Sequence, residues 1–254
     1  MNILVCVKRV PATGGRITLT ADARDIDTRY LGFVVSPHKE CAVEEAVRIV
    51  EAGGGSTTVL TLGPVEAEDQ LRDAMAIGVE RAVLLETDGS DWDPMATAAA
   101  LTDAIRTLEA DGGPFDLILF GNESADSGGF QVGIRVATAL DRPIVTGAKG
   151  LTVADGTASV RREAPGGWEV YEVPLPAVVA VREGINLPRY PSIPGRLRAK
   201  KKEIQRIHPT RVPGGPELVR LALPPEVEGH IEILGTGPEA APRVVEIMRE
   251  IGVL

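Results

Sequence analysis

The sequence is 254 residues long, 44% hydrophobic and 25% charged but only 4% aromatic, with a formal net charge of −9. That length fits one large α/β domain or two small ones, and the ordinary apolar and charged fractions exclude global disorder. No apolar run approaches the ~18 residues of a membrane span, so no membrane insertion is expected. The opening Met1-Asn-Ile-Leu-Val-Cys-Val-Lys8-Arg9 puts its charges after the apolar stretch, the reverse of a secretory signal, and reads as a buried first strand.

Over the first 145 residues, apolar runs alternate with helical patterns, the signature of a parallel sheet covered by helices. Ile3–Val7 is the first strand. His38–Val50 reads as a helix with Ala42, Val43, Ala46, Val47 and Val50 on one face. Thr57–Leu62 is the next strand, Ala67–Ile77 the next helix, and Ala82–Glu86 a further strand. Pro94–Leu108 opens with Asp93-Pro94, an N-cap followed by proline at the first helical position. Phe115–Phe120 is a strand, and Phe130–Leu140 is helical, with Ile134, Ala137 and Leu140 along a stripe. The pattern then changes. Leu151–Val153 and Ala158–Arg162 flank a hairpin signal at Ala154-Asp155-Gly156-Thr157, Trp168–Val173 alternates as an antiparallel strand does, and Ala177–Val181 is again a buried strand. From Pro188 onward ten prolines make ordered helix improbable until a short closing stretch, Ala241–Ile251. The long proline-rich segment holds Leu218, Leu221 and Ile231, which suits an arm packed on another chain or a flexible tail. The expected fold is α/β: a doubly wound, mostly parallel sheet with an antiparallel hairpin region and an extended arm. It divides into an α/β domain over 1–187, a loop and basic strip over 188–204, and the arm over 205–254.

Charge is unevenly spread. Arg189, Arg196, Arg198, Lys200, Lys201, Lys202, Arg206 and Arg211 face a single acid, Glu203, within one stretch of an otherwise acidic chain. An acidic body opposes nucleic-acid binding, while a basic strip is either a docking surface or a solvated run.

The most informative stretch chemically runs from Asp116 through Gly121 to Gly133, passing from a strand through a small, polar, glycine-containing loop into a helix. Backbone N–H groups in such a loop approach a ligand closely, and the helix start adds partial positive charge, so an anion fits. The same glycines also serve the geometry of an ordinary loop. Neither GxGxxG nor GxxxxGK[ST] is present. The turn Lys8-Arg9-Val10-Pro11 and the helix start at Ser36-Pro37, with Ser36 as N-cap, belong at the same end of the sheet, where ligands of doubly wound folds sit. No GxSxG or HExxH appears. Three scattered histidines without a CxxC leave little for a zinc or iron–sulfur site, and the scarcity of aromatics argues against a stand-alone flavin or haem enzyme. Two cysteines cannot staple a chain this long; Cys6 and Cys41 read as reduced core residues of a cytoplasmic protein. Glu44-Glu45 diverge by about 100° on a helix and read as surface charges.

Taken together, Leu4-Val-Cys-Val-Lys-Arg-Val-Pro11, Ala42-Val-Glu-Glu-Ala46, Leu62-Gly-Pro64, Asp73-Ala-Met-Ala-Ile-Gly78, Gly121–Gly133, Leu175-Pro-Ala-Val-Val179, and Asn186-Leu-Pro-Arg-Tyr190 through Ala199-Lys-Lys-Lys202 resemble the β subunit of the electron transfer flavoprotein, in order and over nearly the whole chain. The resemblance implies a heterodimer with an α subunit, a structural AMP in this chain, and an FAD held mainly by α. It implies an electron carrier without catalytic residues of its own, which takes electrons from acyl-CoA and related dehydrogenases of fatty acid oxidation and passes them to a quinone oxidoreductase. Carried over by position, the AMP contacts are Cys6; Ser36, Pro37, His38 and Lys39; Leu62; and Gly121, Asn122, Glu123, Ser124, Ala125, Asp126, Ser127, Gly128, Gly129, Phe130, Gln131 and Val132. Ser36 stands where an asparagine is common and Leu62 where a cysteine is, and Ser127-Gly128-Gly129 replaces more polar residues, which shifts phosphate contacts toward backbone N–H groups.

The strip resembles the family's partner-recognition loop, with Ile193 as the isolated aliphatic anchor and Tyr190, Arg196, Arg198, Lys200 and Lys201 around it. Of two lysines trimethylated in some relatives, the first is Arg198 here and the second matches Lys201. Thr13 stands where relatives often place an aromatic near the flavin, and Glu163 matches a glutamate that restrains the α domain through an arginine. Two alternatives stay open: a bifurcating relative whose β site holds a second FAD, which Phe130 disfavours, and a stand-alone adenine-nucleotide-binding regulator of similar fold.

Overall fold

The computed structural model describes residues 1–12, 14, 17–225 and 231–254. β1 (Asn2–Val7) leads into an excursion closed by β2 (Arg9–Pro11) and β3 (Phe33–Val35), which pair antiparallel. Then come α1 (Pro37–Gly53), β4 (Ser56–Gly63), α2 (Glu68–Ile77), β5 (Arg81–Glu86), α3 (Pro94–Gly112), β6 (Leu117–Gly121) and α4 (Val132–Ala139). The remainder is β7 (Ile144–Ala154), β8 (Thr157–Ala164), β9 (Gly167–Pro174), β10 (Ala177–Val181), α5 (Ile193–Lys201), β11 (Gln205–Ile207) and α6 (Ala241–Glu250).

Nine strands form one sheet in the order β11-β5-β4-β1-β6-β10-β7-β8-β9. The pairings from β11 to β7 are parallel, and β8 and β9 extend the sheet as antiparallel strands, so the doubly wound, mostly parallel α/β fold expected from the alternating runs is the one observed. Alternate residues of each strand face opposite ways. Ile3, Val5 and Val7 pack with Leu117 and Leu119 beneath α1 and α2, whereas Leu4, Cys6, Ile118 and Phe120 pack beneath α3 and α4. Burial on both faces is why these strands are continuously apolar. Among the described residues, no helix is long and apolar enough to cross a membrane.

Several expectations change. Lys8-Arg9-Val10-Pro11 is not a simple turn: Arg9–Pro11 is a strand, with the Arg9 guanidinium 3.3 Å from the Phe33 ring. The prolines after Pro188 do not exclude helix, because α5 takes Pro194 in its first turn, where no N–H is missed, and Ser192 Oγ accepts from Gly195 N at 3.1 Å. Glu44 and Glu45 are not surface charges; they are 3% and 9% exposed, covered by the segment around Asn186 and Arg189, which follows β10. Thr13 lies outside the described residues. The sheet ends at β9, where Trp168 and Val170 are exposed, with the Arg161 guanidinium 4.6 Å from the Trp168 ring.

The Asp93-Pro94 start forms as expected: Asp93 Oδ1 accepts from Met95 N at 2.9 Å and Ala96 N at 3.0 Å. Replacing Asp93 with alanine removes both acceptors and should lower stability by about 1 kcal/mol, read as a shift in the denaturant midpoint.

Candidate functional site

Chain order decides where a crevice opens. From β1 the chain builds outward through β4 to β5, then returns across the sheet to place β6 on the other side of β1. The loops after β1 and β6 therefore part at their carboxyl ends, the position at which open α/β sheets take ligands. Around that point stand Cys6, the start of α1 and the loop that begins at Gly121, whereas Leu62 lies at the end of β4, on the side of β1 away from β6. Gly121 is required by proximity: a Cβ there would lie 2.5 Å from Lys39 Cγ, so α1 could not sit this close to β6 with any other residue.

Individual roles differ from one residue to the next. Cys6 is buried, and burial pushes its thiol far above the ordinary range, leaving it unreactive. Ser36 occupies the N-cap position of α1 and is buried, but its hydroxyl makes no cap bond; Lys39 Nζ approaches it at 3.5 Å instead. Pro37 fills the first helical position. His38 Nδ1 accepts from Glu183 N at 2.9 Å, which leaves the ring hydrogen on Nε2, 3.2 Å from Glu123 Oε1. Asn122 is a staple, its N–H donating to Val181 O and its Oδ1 accepting from Gly147 N, both at 2.8 Å. Ser124 and Ser127 join hydroxyls at 2.8 Å. Ala125, Gly128 and Gly129 contribute backbone only. Phe130 sits at φ 52° and is half exposed, lining a cleft with Asn122, Ile134 and Glu163. Gln131 leads into α4 without capping it, since its Oε1 is taken by Arg135, and the first turn beginning at Val132 therefore lacks a side-chain cap.

Charge is concentrated at this point. Lys8, which follows β1 and was missed as a site residue, donates to Asp126 at 2.5 Å and lies 3.7 Å from Asp91. Burial alone would raise the Asp126 carboxyl, but the Lys8 ammonium and the Ser124 hydroxyl hold it below the ordinary carboxylate range. Lys39 is 7% exposed, yet among the described residues no carboxylate comes within ion-pair distance of it. Burial and the neighbouring Lys8 lower its ammonium from 10.5 to about 8, with Asp126 and Glu123 opposing. A buried cation packed against Gly121, at the head of a loop that runs into an uncapped helix start, is an anion-accepting arrangement. Among the described residues no group of three or more His, Cys, Asp or Glu could hold a metal.

A second surface lies on α5. Tyr190 and Ile193 are 95% and 77% exposed, and Arg196, Arg198, Lys200 and Lys201 are exposed beside them. Ile193 is not isolated: Leu197, one turn on and 58% exposed, extends the same ridge, and the i,i+4 spacing was the signal that could have found it. The basic strip is thinner than its composition suggests. Arg189 is engaged by Glu44 and Glu51, Arg206 by Glu68 and Glu86, and Lys202 donates to Val79 O and Glu80 O. Glu163 lies 3.6 Å from Arg182 of its own chain.

The fold defines a doubly wound, mostly parallel α/β protein with a crevice at the point where its strand order reverses and an exposed apolar ridge on α5. The electron transfer flavoprotein domain family matches residues 25–212. The electron transfer flavoprotein subunit beta of Bacillus subtilis is 33% identical over 98% of each chain, and that of Syntrophomonas wolfei 34% over 98% of this chain and 96% of its own. The Mycobacterium tuberculosis subunit beta is 38% identical over 80% of this chain and 77% of its own. The chain belongs to the electron transfer flavoprotein β-subunit family.

Lys39 gives the site a pH signature. Between pH 8 and 10.5 the unfolded chain holds a proton on this group that the fold has released, so ligand-stripped protein gains stability as pH rises through that window. The gain should vanish in Lys39→Met, compared with wild type by denaturation midpoints below and above the window.

Proposed function

We propose that this chain is the β half of a heterodimeric electron carrier, holding a redox-silent AMP in the crevice between β1 and β6 and presenting α5 to the dehydrogenases that load the carrier. The observation that carries the nucleotide reading is the buried Lys39 ammonium, with no carboxylate within ion-pair distance among the described residues, packed against Gly121 where the loop leading to the uncapped start of α4 begins. A phosphate there would be met by the first-turn N–H groups and by Lys8 and Lys39. Backbone donors dominate this arrangement, in keeping with the small residues Ser127, Gly128 and Gly129. The close approach enforced at Gly121 and the bonds of His38 to Glu123 and the Glu183 N–H fix the crevice wall.

FAD, held mainly by the α subunit, supplies the redox chemistry; this chain's residues bind, orient and dock. Leu218, Val219, Leu223, Ile231 and Ile233 on the arm and Val244, Val245, Met248 and Ile251 on or just past α6 are exposed, which suits an arm laid on the α subunit. Glu163, at the cleft lined also by Phe130 and Arg182, is placed to exchange its partner for an arginine of the α domain. The onward acceptor is a quinone oxidoreductase, and the setting is cytoplasmic fatty acid oxidation.

The bifurcating alternative would extend the nucleotide into a second FAD, and the Phe130 ring at the cleft favours the shorter ligand. Denaturing the purified heterodimer and quantifying released cofactors tests this directly: one flavin and one AMP are expected per dimer. Two flavins without AMP would establish the bifurcating reading, and a monomer that turns over ATP without an α partner would leave the stand-alone regulator.

The docking half has its own test. Burying an aliphatic anchor contributes about 1.5–3 kcal/mol, so Ile193→Ala should raise the KM for a reduced medium-chain acyl-CoA dehydrogenase by about 10- to 100-fold with unchanged AMP content.

A further inference from the structure

The docking helix has almost nothing apolar holding it. Its only buried residues are Gly195 and Ala199, both small, and a Cβ on Gly195 would come 2.3 Å from Ala76 O on α2. Contact this close fixes a distance, but the little apolar area involved cannot by itself fix an orientation. Polar pins at both ends do so. At the far end Arg72 Nη1 donates to Ala199 O at 2.9 Å and Lys202 Nζ to Val79 O at 3.0 Å.

At the near end the strap before α5 is fastened along α1. Glu183 N donates to His38; Asn186 Nδ2 donates to Cys41 O at 3.0 Å and to Glu45 Oε2 at 2.7 Å. Arg189 closes the row. Its Nε and Nη2 donate to Glu44 at 2.9 and 3.0 Å, and its Nη1 and Nη2 donate to the two oxygens of Glu51 at 2.7 and 2.8 Å. The planar guanidinium spans two carboxylates two turns apart on one helix, geometry that a point-charge ammonium cannot reproduce. The Glu44 side chain is only 4% exposed, so Arg189 also supplies the countercharge that burial demands, with Arg48 at 3.6 Å on the other side.

We infer that Arg189, by gripping Glu44 and Glu51, is a positioning residue that holds the ridge of Tyr190, Ile193 and Leu197 ready for the dehydrogenase without touching it. This rests on the docking reading of α5. A helix held in one orientation before encounter avoids the ordering cost on binding, so loosening the clamp weakens association and leaves electron transfer in the formed complex intact.

The test uses the αβ heterodimer with a medium-chain acyl-CoA dehydrogenase reduced by octanoyl-CoA as probe. Arg189→Ala is expected to raise KM about tenfold while kcat stays within about twofold, with AMP content unchanged and faster amide hydrogen exchange over 193–201. Arg189→Lys should fall between wild type and alanine in both readouts. Glu51→Gln, a surface change that keeps the buried Glu44 pair, should raise KM about threefold and covers the case in which Arg189→Ala does not fold. Unchanged KM in Arg189→Lys and Glu51→Gln, with Ile193→Ala still impaired, would overturn the clamp while leaving docking intact. Unchanged KM in Ile193→Ala would instead remove the docking reading; exchange over 193–201 then decides whether Arg189 orders the helix, and wild-type exchange in Arg189→Lys would overturn that too.

Discussion

Helix α1 is the element on which both working surfaces depend. Its first turn, Pro37 to Lys39, forms one wall of the crevice. Its later turns present Glu44, Glu45 and Glu51 to the strap that carries α5. A single rigid rod thus ties a ligand site at the sheet's carboxyl end to a protein-recognition surface elsewhere. The rod is seated by ordinary packing: Cys41, Ala42, Val43, Ala46 and Val47 close over Ile3, Val5 and Val7. Small residues let it lie close, and Gly121 lets its first turn approach β6 more nearly than a side chain would permit.

Electrostatics divide the labour between the two surfaces. In the crevice, Lys8 is shared by Asp126 and Asp91, whereas Lys39 is desolvated with Asp126 and Glu123 acting on it only from beyond ion-pair distance. Holding a desolvated ammonium without a close partner costs the fold stability, a cost that the anion of the proposed function would offset. On either side of α5 the carboxylates are in excess, with Arg189 on the strap meeting two and Arg206 on β11 two more. Cations that look like one basic strip in the sequence therefore split into those that build and those left facing outward, Arg198, Lys200 and Lys201 among them.

How much of this could be read without coordinates follows from the range of the interactions. β10 was legible to the residue, Ala177–Val181, because a strand buried on both faces is apolar throughout and Pro174 and Pro176 punctuate its start. The crevice was legible because it is built from loops next to recognisable strands. β2, β3 and β11 were not: each has three residues, too few to show a period, and each forms only because a distant segment lies alongside. α5 was missed because its prolines were read as breakers when Pro194 occupies the one turn that tolerates it. The burial of Glu44 was invisible for a different reason. The arginine that covers it lies 145 residues away, and helical periodicity reports only which face a residue is on, not what is later folded over it.

The sheet's last strand carries its own safeguard. Among the described residues no strand pairs with the outer edge of β9, which is flanked by exposed Trp168 and Val170, the kind of border onto which a stray copy could be added. Glu169 and Glu172 alternate with the apolar residues along it, tethered to Arg162 and Ser159, and Pro174 closes the strand. A second copy laid along that border would have to desolvate carboxylates on both faces of the strand. The same residues that decorate the hairpin thus discourage edge-to-edge addition.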